Sequence, residues 1–314
     1  MAITAATLRS DFSGFLNREQ AGPIFEKAAR MSIAQRLARQ VPLGAEGKSI
    51  PVVTGRLTAG WVSEGSTKPA SSGTMALKTM DPKKLAVIAV VSAEVVRANP
   101  GSYMNLIREQ VAEAFALAFD LAAFHDQGGD GTAGAGPFST YLDQTTKVVE
   151  IGSTAPDKGG IHKDFVDGME LLTDADKDLS GFALDNRIEP KILGAVDANG
   201  RPIYLNLPTE DTSRAVARPG NLLGRESYLG RGSVYDSTNK ILAYGGDWSQ
   251  AAWGVVGGIT YDVSTEAPVT INGSLVSLWE KNLVGVRAEA EYGWLANDVD
   301  AFVKYTNTIA LASA

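Results

Sequence analysis

The sequence predicts an α+β protein, and three observations carry that prediction. Residues 101–125 repeat apolar side chains at helical spacing over a length far beyond an ordinary helix. The run Lys84 to Ser92 (KLAVIAVVS) has the Val- and Ile-rich composition of a buried strand. Residues 138–270 alternate short helical and strand patterns, separated by Gly and Asp turns.

Residues 1–21 are mixed and weakly periodic, and read as an arm. From Gly22 to Gln40 the pattern is helical, with Ile24, Ala28, Met31, Ala34 (or Gln35) and Ala38 at spacings of three and four. Pro23 suits a first helical turn, and Pro42 and Gly44 stop the helix. Lys48 to Val53 reads as a short strand. Thr54 to Leu77 is a polar reach rich in Gly, Ser and Thr, with one Trp and few aliphatic residues. Strands separated by about 30 such residues do not form a tight hairpin. A loop of that length is either functional or packed against another chain.

In the long helix Met104, Ile107, Val111, Phe115, Ala118 and Ala122 form one stripe. Asn99-Pro100 and Ser102 start it, and the glycines of HDQGGDGTAGAGP stop it. At 1.5 Å per residue it is ~37 Å long, a spine for a sheet to lie on. Further on, Lys163 to Asp176 predicts a helix, Gly181 to Asp185 a strand, and Asn186 to Val196 a helix that ends at the Asn199-Gly200 turn. Ser233 to Tyr235, Ile241 to Tyr244 and Ala252 to Val256 read as strands. Leu283 to Trp294 alternates, with Val284, Val286, Ala288 and Ala290 on one face.

Composition narrows the chemistry. At 314 residues the chain suggests about two domains and can bury a sizeable core unaided. A net charge of −7 argues against a general nucleic-acid-binding surface. Cysteine is absent, which excludes disulfides, thiolate catalysis and cysteine-held metals. His125 and His162 are the only histidines, too few for a multi-histidine metal site. No apolar run approaches the ~20 residues of a membrane span. The first residues lack the basic segment and apolar core of a signal peptide, so a soluble chain made and kept inside the cell is expected.

Gly129 to Gly134 (GDGTAG) matches G-x-G-x-x-G, but a helix precedes it where a dinucleotide fingerprint needs a strand. It reads as a plain turn. Asp174, Asp176 and Asp178 have the spacing of the first three ligands of a calcium loop, but Leu179 stands where its glycine belongs and Asp185 where its bidentate Glu belongs. They read as a solvated helix end. Neither histidine has a nucleophile fixed beside it, and Glu109 and Glu113 read as part of a charge-mixed helix face with Arg108. No catalytic residues, cofactor or metal are expected. Trp61 differs. A large aromatic in the polar loop Gly60-Trp61-Val62-Ser63-Glu64-Gly65 either folds back on its own domain or anchors to a neighbouring subunit.

Taken in order, these pieces resemble the major capsid proteins of tailed phages, with the Hong Kong 97-type fold. The resemblance rests on the helix ending near Pro42, Ile50-Pro51, the Trp61 loop, Lys68-Pro69 and Lys83-Lys84-Leu85-Ala86. It continues through the strand into Val91-Ser92-Ala93-Glu94-Val95, the long helix and Gly136-Pro137-Phe138. Asp185-Asn186, the segment Asn199 to Tyr204, Leu223-Gly224-Arg225, Gly245-Gly246-Asp247-Trp248, Asn282 to Glu291 and Ala301-Phe302 follow in the family's order, over about residues 25–305.

The resemblance implies an N-terminal arm and helix (1–44), an extended hairpin loop (45–92) and a peripheral domain with the spine helix (93–137 and 271–314). An axial domain (138–270) completes it. It implies copies assembled as hexamers and pentamers into an icosahedral shell around double-stranded DNA, in the host bacterial cytoplasm and without a membrane. Trp61, Glu64, Lys68, Lys83, Lys84 and Arg108 are then candidates for contact between subunits. Scaffolding, portal and decoration proteins are further partners of such a shell. The helix starting near residue 22 leaves no room for the long cleaved scaffolding segment of many members, so a separate scaffold or none is expected. No motif marks a partner Asn or Glu for Lys–Asn cross-linking. Two other readings stand beside this one: an encapsulin-like compartment shell, and an α/β enzyme using the GDGTAG turn for a nucleotide.

Overall fold

The computed structural model describes residues 32–307, apart from 56, 65–66, 69, 99–102, 156–157, 195–203, 207–217, 231–232 and 272. The predicted arm, the first half of the 22–40 helix, the start signals of the long helix and the Asn199-Gly200 turn lie outside the described residues.

Ser32 opens the first described helix, α1 (Ile33–Leu37), its hydroxyl accepting from the Gln35 N–H at 3.1 Å. The helix stops at Leu37, short of the predicted end, because Arg39–Gln40 form strand β1, parallel to Ala252 and Trp253. The chain then runs through β2 (Lys48–Gly55), β3 (Thr74–Met80), β4 (Lys83–Ser92), α2 (Ala93–Ala98) and α3 (Tyr103–His125). Next come β5 (Val148–Glu150), α4 (Gly160–Thr173), β6 (Gly181–Asp185), α5 (Glu189–Leu193), β7 (Tyr204–Asn206), β8 (Arg218–Leu222), β9 (Arg225–Gly230) and β10 (Ile241–Gly246). The chain closes with β11 (Ala251–Ser264), β12 (Pro268–Ile271), β13 (Ser274–Ser277), β14 (Leu283–Ala296) and β15 (Phe302–Thr306). Ser233 to Tyr235, predicted as a strand, is a bend, and only Asp236 bridges to Ile241.

Two sheets carry the molecule. One is four-stranded, in the order β1-β11-β14-β4. The other is seven-stranded and mixed, in the order β5-β15-β10-β6-β9-β8-β7. They cut across the sequence division. β4, from the 45–92 segment, and β11, from 138–270, pair with β14, whereas β15, from 271–314, joins the seven-stranded sheet. The β8–β9 turn is Leu223-Gly224, both at positive φ, the two-residue geometry that suits a right-twisted hairpin.

Helix α3 lies on the four-stranded sheet. The predicted stripe Ile107, Val111, Phe115, Ala118 and Ala122 is buried. Phe119, outside that stripe, is the hub, with its ring 5.4–6.3 Å from Phe138, Trp253, Tyr292 and Trp294. The last turns of α3 are buried all round because they also meet the second sheet: Phe124 stacks on Tyr244 at 5.6 Å. A separate core under the seven-stranded sheet joins Phe165 and Leu172 of α4 to Phe182, Leu229, Val303 and Tyr305.

Candidate inter-subunit surfaces

The β2–β3 pair is a two-stranded ribbon that belongs to neither sheet. Strand β3 was not predicted, and it shortens the long polar reach to residues 56–73. Pro51, opposite Leu77, is tolerated because a ribbon has open edges that need no N–H. The base of the ribbon is anchored. Met80 is fully buried against Leu43 and Leu295, with Ile50 beside them. Gly254 and Gly293 are register partners in β11 and β14, and together they make the trough for this base. A Cβ on Gly293 would lie 2.7 Å from Leu43 and 2.8 Å from Met80, and one on Gly254 would lie 2.7 Å from the Val41 carbonyl.

Beyond the base the ribbon is bare on both faces. Val53, Met75 and Leu77 are each more than 60% exposed, as is Leu57 at the start of the tip. Trp61 is fully exposed, with Val62 beside it, and Glu64 and Lys68 are exposed in the same tip. An isolated two-stranded ribbon is marginal in water. This one presents an exposed apolar patch, the kind of surface that marks an interaction site. Trp61 therefore does not fold back on its own domain.

The other three candidates sit on the body. Lys83 and Lys84 start β4, where Lys84 pairs with Glu289 of β14 at 3.4 Å. Arg108, half-buried near the start of α3, faces Tyr261 of β11, and its charge works against the rise that burial gives the tyrosine's pKa. Lys83 and Lys84 line one hollow with the end of α3, the Gly-rich turn and Tyr292; its volume is about 210 Å³. The tip residues and the body residues do not meet within the chain. A second exposed apolar group was missed in the sequence: Leu275 on the β12–β13 hairpin and Trp279 just after it, each about three-quarters exposed. The signal was a lone Trp among charges, Leu278-Trp279-Glu280-Lys281.

The chemical candidates have structural occupations. In the Gly-rich turn the N–H groups of Gly128, Gly131, Thr132 and Gly136 are spent on the turn's own oxygens. The Thr132 N–H also holds the Asp130 carboxyl below its usual range. The turn follows a helix, where a dinucleotide site needs a strand before it. His125 is buried, which pushes its pKa down. Its Nε2 donates to the Val234 carbonyl at 2.9 Å and its Nδ1 accepts from the Tyr244 hydroxyl at 3.1 Å. His162 lies on α4. Glu109 is half-buried and Glu113 exposed on α3. Asp174 caps the end of α4, Asp176 takes a left-handed turn, and Lys177 between Asp176 and Asp178 reaches Asp298 at 2.5 Å. Among the described residues no three His, Asp or Glu side chains are grouped to hold a metal. No helix among them is long and apolar enough to cross a membrane.

The chain thus combines a spine helix under a sheet, a second sheet with its own core and a bare ribbon. Residues 14–307 match the phage capsid family, and the chain belongs to that family. It is 40% identical to the "Probable major capsid protein gp17" of Mycobacterium phage L5, over 98% of this chain and 93% of that protein. It is equally similar to the protein of the same name from Mycobacterium phage D29. Its fold is that of a chain from Gordonia phage Cozz (TM-score 0.70, 24% identity, 94% of this chain and 92% of that one). It also matches a chain from Mycobacterium phage Adephagia (TM-score 0.69, 18% identity, 98% and 99%). The mixed helix-and-strand architecture is the Hong Kong 97-type fold expected from the resemblance.

Proposed function

We propose that this chain is a major capsid protein whose copies associate as hexamers and pentamers into an icosahedral shell around double-stranded DNA. The observation that carries the reading is the bare β2–β3 ribbon, anchored at Met80 and exposed at Val53, Leu57 and Trp61. Its apolar surface gains cover only on association. The role is association rather than catalysis. Each subunit would bury well over a standard ~1,600 Å² interface, summed over its neighbours.

In this reading α3 and the four-stranded sheet form the peripheral domain, and the seven-stranded sheet with α4 and α5 forms the axial domain. The ribbon with its tip is the extended loop. Subunits would assemble in the host bacterial cytoplasm, alongside scaffolding, portal and decoration proteins where the shell uses them. A net charge of −7 suits a container that does not grip its DNA everywhere. The relatives are phage proteins, which favours DNA as cargo over the enzymes of a compartment shell. The helix that precedes the Gly-rich turn counts against the nucleotide enzyme.

Negative-stain electron microscopy of the chain, expressed with and without its genomic neighbours, tests the reading. Closed shells, or hexamers and pentamers, are expected, with double-stranded DNA in particles that have been packaged. A chain that stays monomeric in both settings would overturn it.

A further inference from the structure

The hollow between β4, the end of α3 and the Gly-rich turn is matched by a group elsewhere on the same chain that nothing covers. We propose that in the shell this hollow receives the Trp61 indole from the ribbon tip of a second copy, with Glu64 of that tip set against Lys83. The inference rests on the reading that copies associate through the ribbon, and it says where the tip ends.

Shape comes first. The hollow holds about 210 Å³, more than the ~150 Å³ cavity that accepts benzene. Phe119, Phe138 and Tyr292 stand in its wall, so an entering indole meets an aromatic surface. Leu85 and Ala122 complete an apolar lining, and Ala135 stands at its exposed rim. On the other side of the match, Trp61 is the one fully exposed aromatic of the described residues. Burying it removes more apolar surface than burying any other side chain of the tip.

Charge agrees. The wall holds two lysines and no carboxylate. Lys84 is already taken by Glu289, whereas Lys83 has no ion pair among the described residues. Glu64 follows Trp61 by three positions and has no ion pair among the described residues either. One unpaired cation beside the hollow and one unpaired anion beside the knob give the pairing a direction.

Reach excludes the chain's own tip. A strand of eight residues, as β2 is, spans about 26 Å at 3.3 Å per residue. The ribbon leaves the body at Met80, packed against Gly293 next to Tyr292 in the hollow's wall. Its tip therefore stands about a strand's length from its own hollow, so only a second copy's tip can fill it.

The chain has no cysteine, so an engineered pair reports without interference. In assembled shells of the full chain, Val62→Cys with Ala135→Cys should give a ladder of disulfide-linked multimers on mild oxidation. The control pair Val62→Cys with Ser153→Cys should give none. Ala135→Phe, a rim change at an exposed position, should cut shell yield about tenfold or more while the subunit's Tm stays unchanged. Glu64→Lys should lower shell yield, and adding Lys83→Glu should restore it. A further chain, with residues 57–68 replaced by a Gly-Ser linker, separates the two levels. If that chain makes no shells, yet the cross-link is absent and Ala135→Phe assembles normally, the hollow is not the receptor and the ribbon reading stands. If the linker chain makes normal shells, both fall.

Discussion

Asp120, buried within the spine helix α3, accepts a 2.6 Å hydrogen bond from the hydroxyl of Ser32, 88 residues earlier in the chain. The same carboxylate accepts from the backbone N–H of Ile33 at 3.0 Å and of Ala34 at 3.1 Å. It thus caps α1 from outside and fixes where the N-terminal segment leaves the spine. The Ser233 hydroxyl, buried without a well-formed hydrogen bond of its own, faces the same group.

Burial outweighs these bonds and raises the Asp120 pKa from 3.8 to about 6, and no charged side chain contributes to the shift. A carboxyl with a higher pKa folded than unfolded stabilises the fold most when protonated. Its contribution is full below about pH 4 and is lost as the pH rises through about 6. Ionised at pH 7, it costs on the order of 3 kcal/mol relative to its protonated form. Thermal unfolding of unassembled subunits should therefore show a fall in Tm between about pH 4 and pH 6 that Asp120→Asn removes. Parallel pH profiles for the two chains would disprove it.

Phe119→Ala should unfold the core between α3 and the four-stranded sheet rather than weaken assembly alone. Its ring meets four others, and removing a fully buried aromatic costs about 3–5 kcal/mol. Urea unfolding of the subunit would measure it, and a loss under 1 kcal/mol would contradict the hub role.

Gly168 lies inside helix α4, where Gly→Ala ordinarily stabilises by up to about 1 kcal/mol. Here a Cβ would stand 2.2 Å from the buried Tyr305 hydroxyl and 2.7 Å from its ring. Overpacking of this kind costs about 1–3 kcal/mol, so the sign should reverse and Gly168→Ala should destabilise. Tyr305→Phe, which removes the closest atom, should recover part of the loss in a double-mutant cycle.

Trp279→Ser should leave the unassembled subunit's Tm within a degree or so, because three-quarters of the side chain is already in water. Its effect should appear in shell yield or shell stability. Equal losses in subunit and shell would make Trp279 a folding residue instead.

Much of the fold was legible in the sequence where one chain supplies both sides of a contact. Helix α3 shows its stripe because Ile107, Val111 and Phe115 face a sheet of the same subunit. Strand β14 alternates because Val284, Val286, Ala288 and Ala290 share a covered face. Strand β3 was missed for the opposite reason: Thr74 to Leu77 are exposed in succession, so no alternation of burial shaped the sequence. Arg39 and Gln40 were assigned to a helix that the pairing with β11 overrides. The Ser32–Asp120 cap joins residues too far apart for any local pattern to mark. Of the candidate contacts, Trp61 stood out because the polar loop gave it nothing to pack on, whereas Trp279 was hidden in a charged turn.

The bare ribbon also sets a clock. Open strand edges and exposed Val53, Met75 and Leu77 are the features that lead one chain to add to another without register or limit. A newly made subunit therefore faces two fates, ordered closure and disordered aggregation, both drawing on the same surface. Which one prevails depends on how quickly a correct neighbour arrives. The rate at which copies are made is thus as much a condition of success as the shape of the subunit.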